Sequence, residues 1–312
     1  MASLQLDSHS PQEHVALDGK PRPTVRVAVV QAEPVYFDLQ GAVAKAINII
    51  AEAAQKGAQL VAFPEVWIPG YPSWIWARGC DIDLVQRYIQ SSLSVESEEM
   101  SRIRTAAATN SIAVVMGYSE RDGSSVYIGQ CYIGSDGEIK NKRRKIKPTH
   151  MERTVSGEGG GESLLNVVEE VKLVAWECFV AGSIRSRYSS FTPIRRGNRS
   201  MSPPGRLSCP MKRAKDFGRQ QMKRGVDAMK TQNGDQYYAP GGGGSCVIRP
   251  DGKIITERLP DDEEGLVIAD LNLDDILRSK AYLDTQGHYS RPDLLWLGVD
   301  TNPKLRVRAC MT

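Results

Sequence analysis

The sequence predicts a layered α/β fold. Short apolar, β-branched runs alternate with longer segments of helical spacing. Two Asp-Gly pairs, Asp136–Gly137 and Asp251–Gly252, each sit between strand-like runs, as hairpin turns do. The 312 residues suffice for one large domain with a sizeable core, and length alone also allows two smaller domains.

The elements follow in chain order. Residues 1–24 are polar, carry Pro11, Pro21 and Pro23, and read as a flexible leader. VRVAVVQA (Val25–Ala32) is a run of buried-strand type. Gly41–Lys56 has helical spacing, with Ala42, Ile47, Ile50 and Ala54 available for a buried face. QLVAFPEV (Gln59–Val66) is a second buried strand that ends in a loop rich in Pro, Gly and Trp. Glu96–Asn110 reads as a helix and Ile112–Glu120 as a third strand. The stretch 126–145 is two strands around Asp136–Gly137, and Ser245–Ile255 is two more around Asp251–Gly252. Leu266–Leu277 is a strand running into a helix, with Asn272 or Asp274 as N-cap.

Composition narrows the class. Apolar content of 41% and charged content of 25% are ordinary for a globular protein. No apolar run approaches the roughly 20 residues that span a bilayer, and the N-terminus lacks the basic-then-apolar order of a signal peptide. The six cysteines (Cys80, Cys131, Cys178, Cys209, Cys246, Cys310) include no CxxC pair. That fits a reducing, cytoplasmic setting and argues against a disulfide scaffold or a zinc site. The net charge of +3 is unevenly spread: Lys172–Arg224 holds thirteen basic and two acidic residues, and the remainder holds 27 and 35. Such a block ordinarily suggests a nucleic-acid arm.

Two stretches carry candidate chemistry. Gly57–Pro72 (GAQLVAFPEVWIPGYP) places one acid, Glu65, where a buried strand meets a rigid loop. A carboxylate at such a mouth has its proton affinity raised by desolvation, which suits a general base. Taken alone, a strand-end Glu is more often a solvated surface residue. Lys140–Gly159 (KNKRRKIKPTHMERTVSGEG) is, by charge alone, a solvated basic loop.

Together these stretches resemble the signatures of the nitrilase and cyanide hydratase family of carbon–nitrogen hydrolases. The first matches across all sixteen residues: a glycine, a buried strand, F-x-E, aromatic residues, then G-Y-P. The second resembles the family's R-R-K-I-K-P-T-H-x-E-R stretch. A third, Asp284–Thr301, resembles the same region of fungal and bacterial nitrilases, although a plain structural segment is the simpler account of it. The resemblance covers about 25–171 and 225–301. It implies a four-layer α-β-β-α sandwich, a single domain over 25–301 with a short tail at 302–312, and homo-oligomers. It also implies site roles. Glu65 is the general base, Lys145 stabilises charge on the intermediate, and Glu152 supports Lys145. The aromatic loop residues Trp67, Tyr71, Trp74 and Trp76 line a pocket, an interface or a core.

The family's nucleophile is a cysteine in a C-W-E motif roughly thirty-five residues after the lysine. No such motif occurs here. Ala175–Pro210 lacks any usable period, is basic and contains seven serines. The genetic code permits a frame test. Written with permitted codons and read from each third base, Val180–Arg187 gives C-W-E-H-T-Q-P. Continuing to Arg206 gives a string that includes E-Q-I-H-V-S-A-W-P. The segment at about 175–212 thus reads as out of frame, with family residues missing up to about 225. That explains the basic block without nucleic acid. The family thiol then falls across Val180 and Ala181, and Cys178, the nearest thiol in the chain as written, is its candidate nucleophile.

The resemblance implies hydrolysis of a nitrile, arylacetonitrile or aliphatic, to a carboxylic acid and ammonia, with no metal or organic cofactor and no membrane or nucleic-acid partner. A cyanide hydratase that stops at the amide and a non-catalytic subunit are the alternatives.

Overall fold

The computed structural model describes residues 24–76, 80–165, 167–170, 173–177, 243–284, 287–296 and 298–302. The leader, the end of the tail, and residues 178–242 lie outside them. The expected incomplete stretch up to about 225 therefore falls almost wholly outside.

Eight strands are described: β1 (Thr24–Gln31), β2 (Leu60–Ala62), β3 (Ala113–Asp122), β4 (Ser125–Ile133), β5 (Ile139–Arg144), β6 (Val167–Glu170), β7 (Leu173–Glu177) and β8 (Gly265–Asn272). The helices are α1 (Leu39–Gln55), α2 (Ile82–Ser91), α3 (Glu98–Thr109) and α4 (Asp275–Tyr282). Six strands form one mixed sheet in the order β5-β4-β3-β2-β1-β8. Within it β1, β2 and β3 are mutually parallel and the flanking pairs are antiparallel. Strands β6 and β7 pair as a separate antiparallel ladder.

The inner strands are apolar throughout because both faces are buried. Ala28, Val30, Val61, Val114 and Met116 pack against α1 and α3 on one face. Val25, Val27, Leu60, Ala62, Ala113, Val115 and Tyr132 point to the other, where Val168 of β6 and Val247 meet them. A helical layer, a six-stranded sheet and part of a second strand layer are thus in place, and the α/β class holds. Side-chain caps fix the helix starts: Asp38 accepts from the Gly41 amide at 2.9 Å, Asp81 from Leu84 at 3.0 Å, and Ser97 from Met100 at 3.3 Å. Among the described residues no helix is long and apolar enough to cross a membrane.

Several sequence expectations shift. The strand expected over Gln59–Val66 stops at Ala62, because Pro64 has no N–H to donate and the chain then turns at Glu65. The helix at 82–91 was not anticipated. The expected hairpin at Ser245–Ile255 reduces to a single bridge, Ile248 to Ile254, around Gly252 at φ +88°. On α1 the fully buried stripe is Ala42, Val43, Ala46, Ile50 and Ala53, with Ile47 and Ala54 at its margin. Asp274 caps α4 by position, and its side chain makes no capping bond.

Candidate active site

The site forms where β2 gives way to a loop that leans across β3. The Phe63 amide still donates to the Val115 carbonyl at 2.8 Å, and Trp67 and Ser119 restore pairing through Gly117 and Ile68. Between them Pro64–Glu65 pass close over β3. Gly117 permits this. A Cβ there would lie 2.1 Å from the Pro64 carbonyl oxygen and 2.9 Å from the Glu65 Cα. Val66, next to the acid, sits at φ +52°, an uncommon conformation for a β-branched residue and a local strain that the surrounding pairing holds in place.

Lys145 extends β5 by one residue. Its amide donates to Ile128 at 2.7 Å and its carbonyl accepts from Gly159 at 2.9 Å, so its backbone is clamped. That register turns the side chain to the face of β4 that carries Ile128, Gln130 and Tyr132. Glu152 follows in a 3-10 turn (His150–Thr154).

The three charged side chains meet and are fully enclosed: Lys145 is 0% exposed, Glu65 5% and Glu152 1%. The Lys145 ammonium donates to Glu65 Oε1 at 3.1 Å and to Glu152 at 2.8 and 3.1 Å. Glu152 also accepts from the Thr149 amide at 2.6 Å, the Thr149 hydroxyl at 2.8 Å and the Tyr71 hydroxyl at 3.2 Å. Five hydrogen bonds on one carboxylate match the needs of its charged form. Glu65 is placed differently. Burial drives its carboxyl up to about 7 against the lowering effect of Lys145, while the nearby Glu152 charge adds to the rise and Arg143 opposes it. The arrangement therefore offers one fixed carboxylate, one ammonium and one carboxyl that exchanges a proton near neutrality, which is the equipment of a general base beside a cation.

The aromatic loop divides. Trp67 is core: it packs at a tilt against Phe63 and donates to the Ala32 carbonyl at 2.9 Å. Trp74 packs against Phe37 and Tyr88 above α2. Tyr71 is buried and joins the charged cluster, and Trp76 lies half-buried, stacked on the exposed His150. Of the four rings, only Tyr71 and Trp76 reach the site.

Cys178 lies outside the described residues, one position after β7 ends at Glu177, and so do Val180 and Ala181. Of the described cysteines, Cys131 belongs to the helix-side core, Cys80 is exposed and Cys246 is buried. Sequence reasoning overlooked Gly117 and Thr149. The T-x-x-E spacing of Thr149 and Glu152, a capping-box pattern, was a usable signal for the second.

Comparison with known proteins gives the family. Residues 26–179 match the model of the carbon-nitrogen hydrolase family. An arylacetonitrilase of Fusarium vanettenii is 44% identical over 322 residues, covering 91% of this chain and 95% of that protein. An arylacetonitrilase of Aspergillus niger is 47% identical over 307 residues, covering 91% of each. Among solved structures, an amidase from Nesterenkonia sp. AN1 in complex with acrylamide shares the fold, with a TM-score of 0.53 and 20% identity over 84% of this chain and 96% of that one. The chain belongs to the nitrilase family of carbon–nitrogen hydrolases.

Proposed function

We propose that this protein is an arylacetonitrile-hydrolysing nitrilase that converts R–C≡N to the carboxylic acid and ammonia through a cysteine thioimidate and thioester. The observation that carries this is the buried Lys145 ammonium set between Glu152, fixed by five hydrogen bonds, and Glu65, poised near neutrality. Relatives at 44–47% identity are named arylacetonitrilases, which gives the non-catalytic alternative no support.

Glu65 takes the thiol proton, and the thiolate adds to the nitrile carbon. Proton transfer to nitrogen yields the thioimidate, with Lys145 stabilising the charge that develops there. Water, deprotonated by Glu65, adds to the same carbon. Collapse expels ammonia and leaves a thioester, and a second water releases the acid and regenerates the thiol. Glu152 keeps Lys145 in place. The half-buried Trp76, joined to the cluster through Tyr71, offers a ring against which an aryl group would pack. The nucleophile we assign is the thiol encoded across Val180 and Ala181 in the alternative frame, rather than Cys178. The exposed Leu277, Tyr282, Leu295 and Trp296 support self-association, and the lack of CxxC pairs supports a cytoplasmic location.

Ammonia release from phenylacetonitrile by the chain as written and by its frame-corrected version tests the assignment. Turnover that requires the corrected segment supports it. Equal turnover by both chains overturns the nucleophile assignment, and no turnover by either overturns the function.

A further inference from the structure

We propose that Trp76 and Tyr71 form a hydrogen-bond relay that positions the charged cluster from the rim, Trp76 acting only through the Tyr71 hydroxyl. The inference rests on the assignment of Glu65, Lys145 and Glu152 given above and adds positioning residues to it.

The geometry is sequential. The Trp76 indole N–H donates to the Tyr71 hydroxyl oxygen at 3.3 Å. That oxygen, having accepted one bond, aims its own hydrogen at Glu152 Oε1, 3.2 Å away. Glu152 Oε1 also receives Lys145, whose ammonium reaches on to Glu65. The ends of the relay are anchored. The Tyr71 carbonyl accepts from the Tyr36 hydroxyl at 3.0 Å and from the Ser73 amide at 2.8 Å, so its backbone is held. Trp76 is pinned from its other side by the stacked His150 ring, with centroids 5.3 Å apart and planes 12° apart. An indole N–H donates and never accepts, so the polarity of the chain is fixed. Burial first, and then Glu152, hold the Tyr71 phenol far above its ordinary range, which keeps it a neutral donor.

The consequence falls on Glu65. The groups that face it are Lys145 and Arg143 from the β5 strand and its end, Glu152 from the following turn, and Tyr71 from its own loop. Without the phenol donor, the Glu152 charge is less compensated and draws more on Lys145. Both effects raise the proton affinity of Glu65. Loss of the indole N–H leaves the phenol free to turn, with a smaller effect in the same direction. If the relay is the whole route, removing the indole N–H matters only while the hydroxyl is present.

The test uses Tyr71→Phe, Trp76→Phe and the double variant in the full chain. The Glu65 carboxyl is titrated by infrared absorption, and Glu65→Gln identifies its band, a readout that needs no turnover. Tyr71→Phe is expected to move the Glu65 midpoint upward by on the order of half a pH unit. Trp76→Phe should move it upward by less, and adding it to Tyr71→Phe should change nothing. With phenylacetonitrile and the same substitutions in the frame-corrected chain, kcat should fall several-fold at near-constant KM, with the same lack of additivity. Additive shifts, or no shift in Tyr71→Phe, overturn the relay. Should Trp76→Phe fail to fold, benzothienylalanine at position 76, shaped like indole without its N–H, provides the same comparison. Full turnover after Lys145→Met would defeat the catalytic assignment while leaving the infrared result, and so the relay, standing.

Discussion

Replacing Glu65 with Gln should make the protein more stable at alkaline pH while abolishing its activity. The folded carboxyl sits at about 7 against an ordinary 4.5, because burial disfavours its charge more than Lys145 favours it. The sign follows from linkage. A group with a raised folded pKa binds its proton more tightly when folded. Its contribution to stability is complete below pH 4.5 and is lost as pH rises through 7. A shift of that size corresponds to about 3 kcal/mol at pH 8.5. Gln fills the same volume, carries no charge and does not suffer this loss. At pH 4.5 the two proteins should therefore be alike within about 1 kcal/mol, and at pH 8.5 the variant should lead by roughly 3 kcal/mol. At about 2–4 °C per kcal/mol for a domain of this scale, the lead amounts to roughly 6–12 °C in Tm. Urea unfolding at the two pH values measures it. An equal stability difference at both pH values would show that Glu65 is an ordinary surface-like acid, and the poised base would have to be abandoned.

Other expectations follow from the same cluster. The kcat/KM for nitrile hydrolysis should rise with pH through about 7, because the base must first lose its proton; a flat profile between pH 5 and 8 would speak against Glu65. Lys145→Met should lower kcat by about 10²–10³-fold, the usual loss when a pre-aimed charge stabiliser is removed, as read by ammonia release in the frame-corrected chain. Gly117→Ala should cost about 1–3 kcal/mol and reduce kcat, since the new Cβ would lie 2.1 Å from the Pro64 carbonyl oxygen and push Glu65 aside; circular-dichroism melts alongside kinetics check both effects.

Much of the fold was visible in the sequence, because inner strands buried on both faces are written as unbroken apolar runs. Val25–Ala32 and Ile112–Glu120 fall within a residue or two of β1 and β3. Helix α2 escaped notice because only Leu84, Tyr88 and Ser91 are buried on it, too few to stand out among charged neighbours, although Asp81 was available as a cap. The aromatic loop misled for a related reason: two Trp side chains on one loop read alike, and only the depth of burial separates Trp74, fully enclosed in the cluster with α2 and β4, from Trp76, half-buried at its margin. Glu65 and Lys145 were each legible from their local motifs. Their meeting was implied by the family resemblance alone, since they are 80 positions apart and only the sheet order joins them. Gly117 was hidden for the same cause. Its need arises from a loop that crosses it, not from its own neighbours in the chain.

Intact-protein mass spectrometry of the frame-corrected chain and of the chain as written during incubation with phenylacetonitrile, followed by peptide mapping, examines the chemistry at its origin. A covalent acyl adduct on the cysteine of a C-W-E peptide, released by hydroxylamine, is the expected result. Sustained hydrolysis with every thiol alkylated, or an adduct confined to the peptide of Cys178, would contradict the thiol placement on which the mechanism depends.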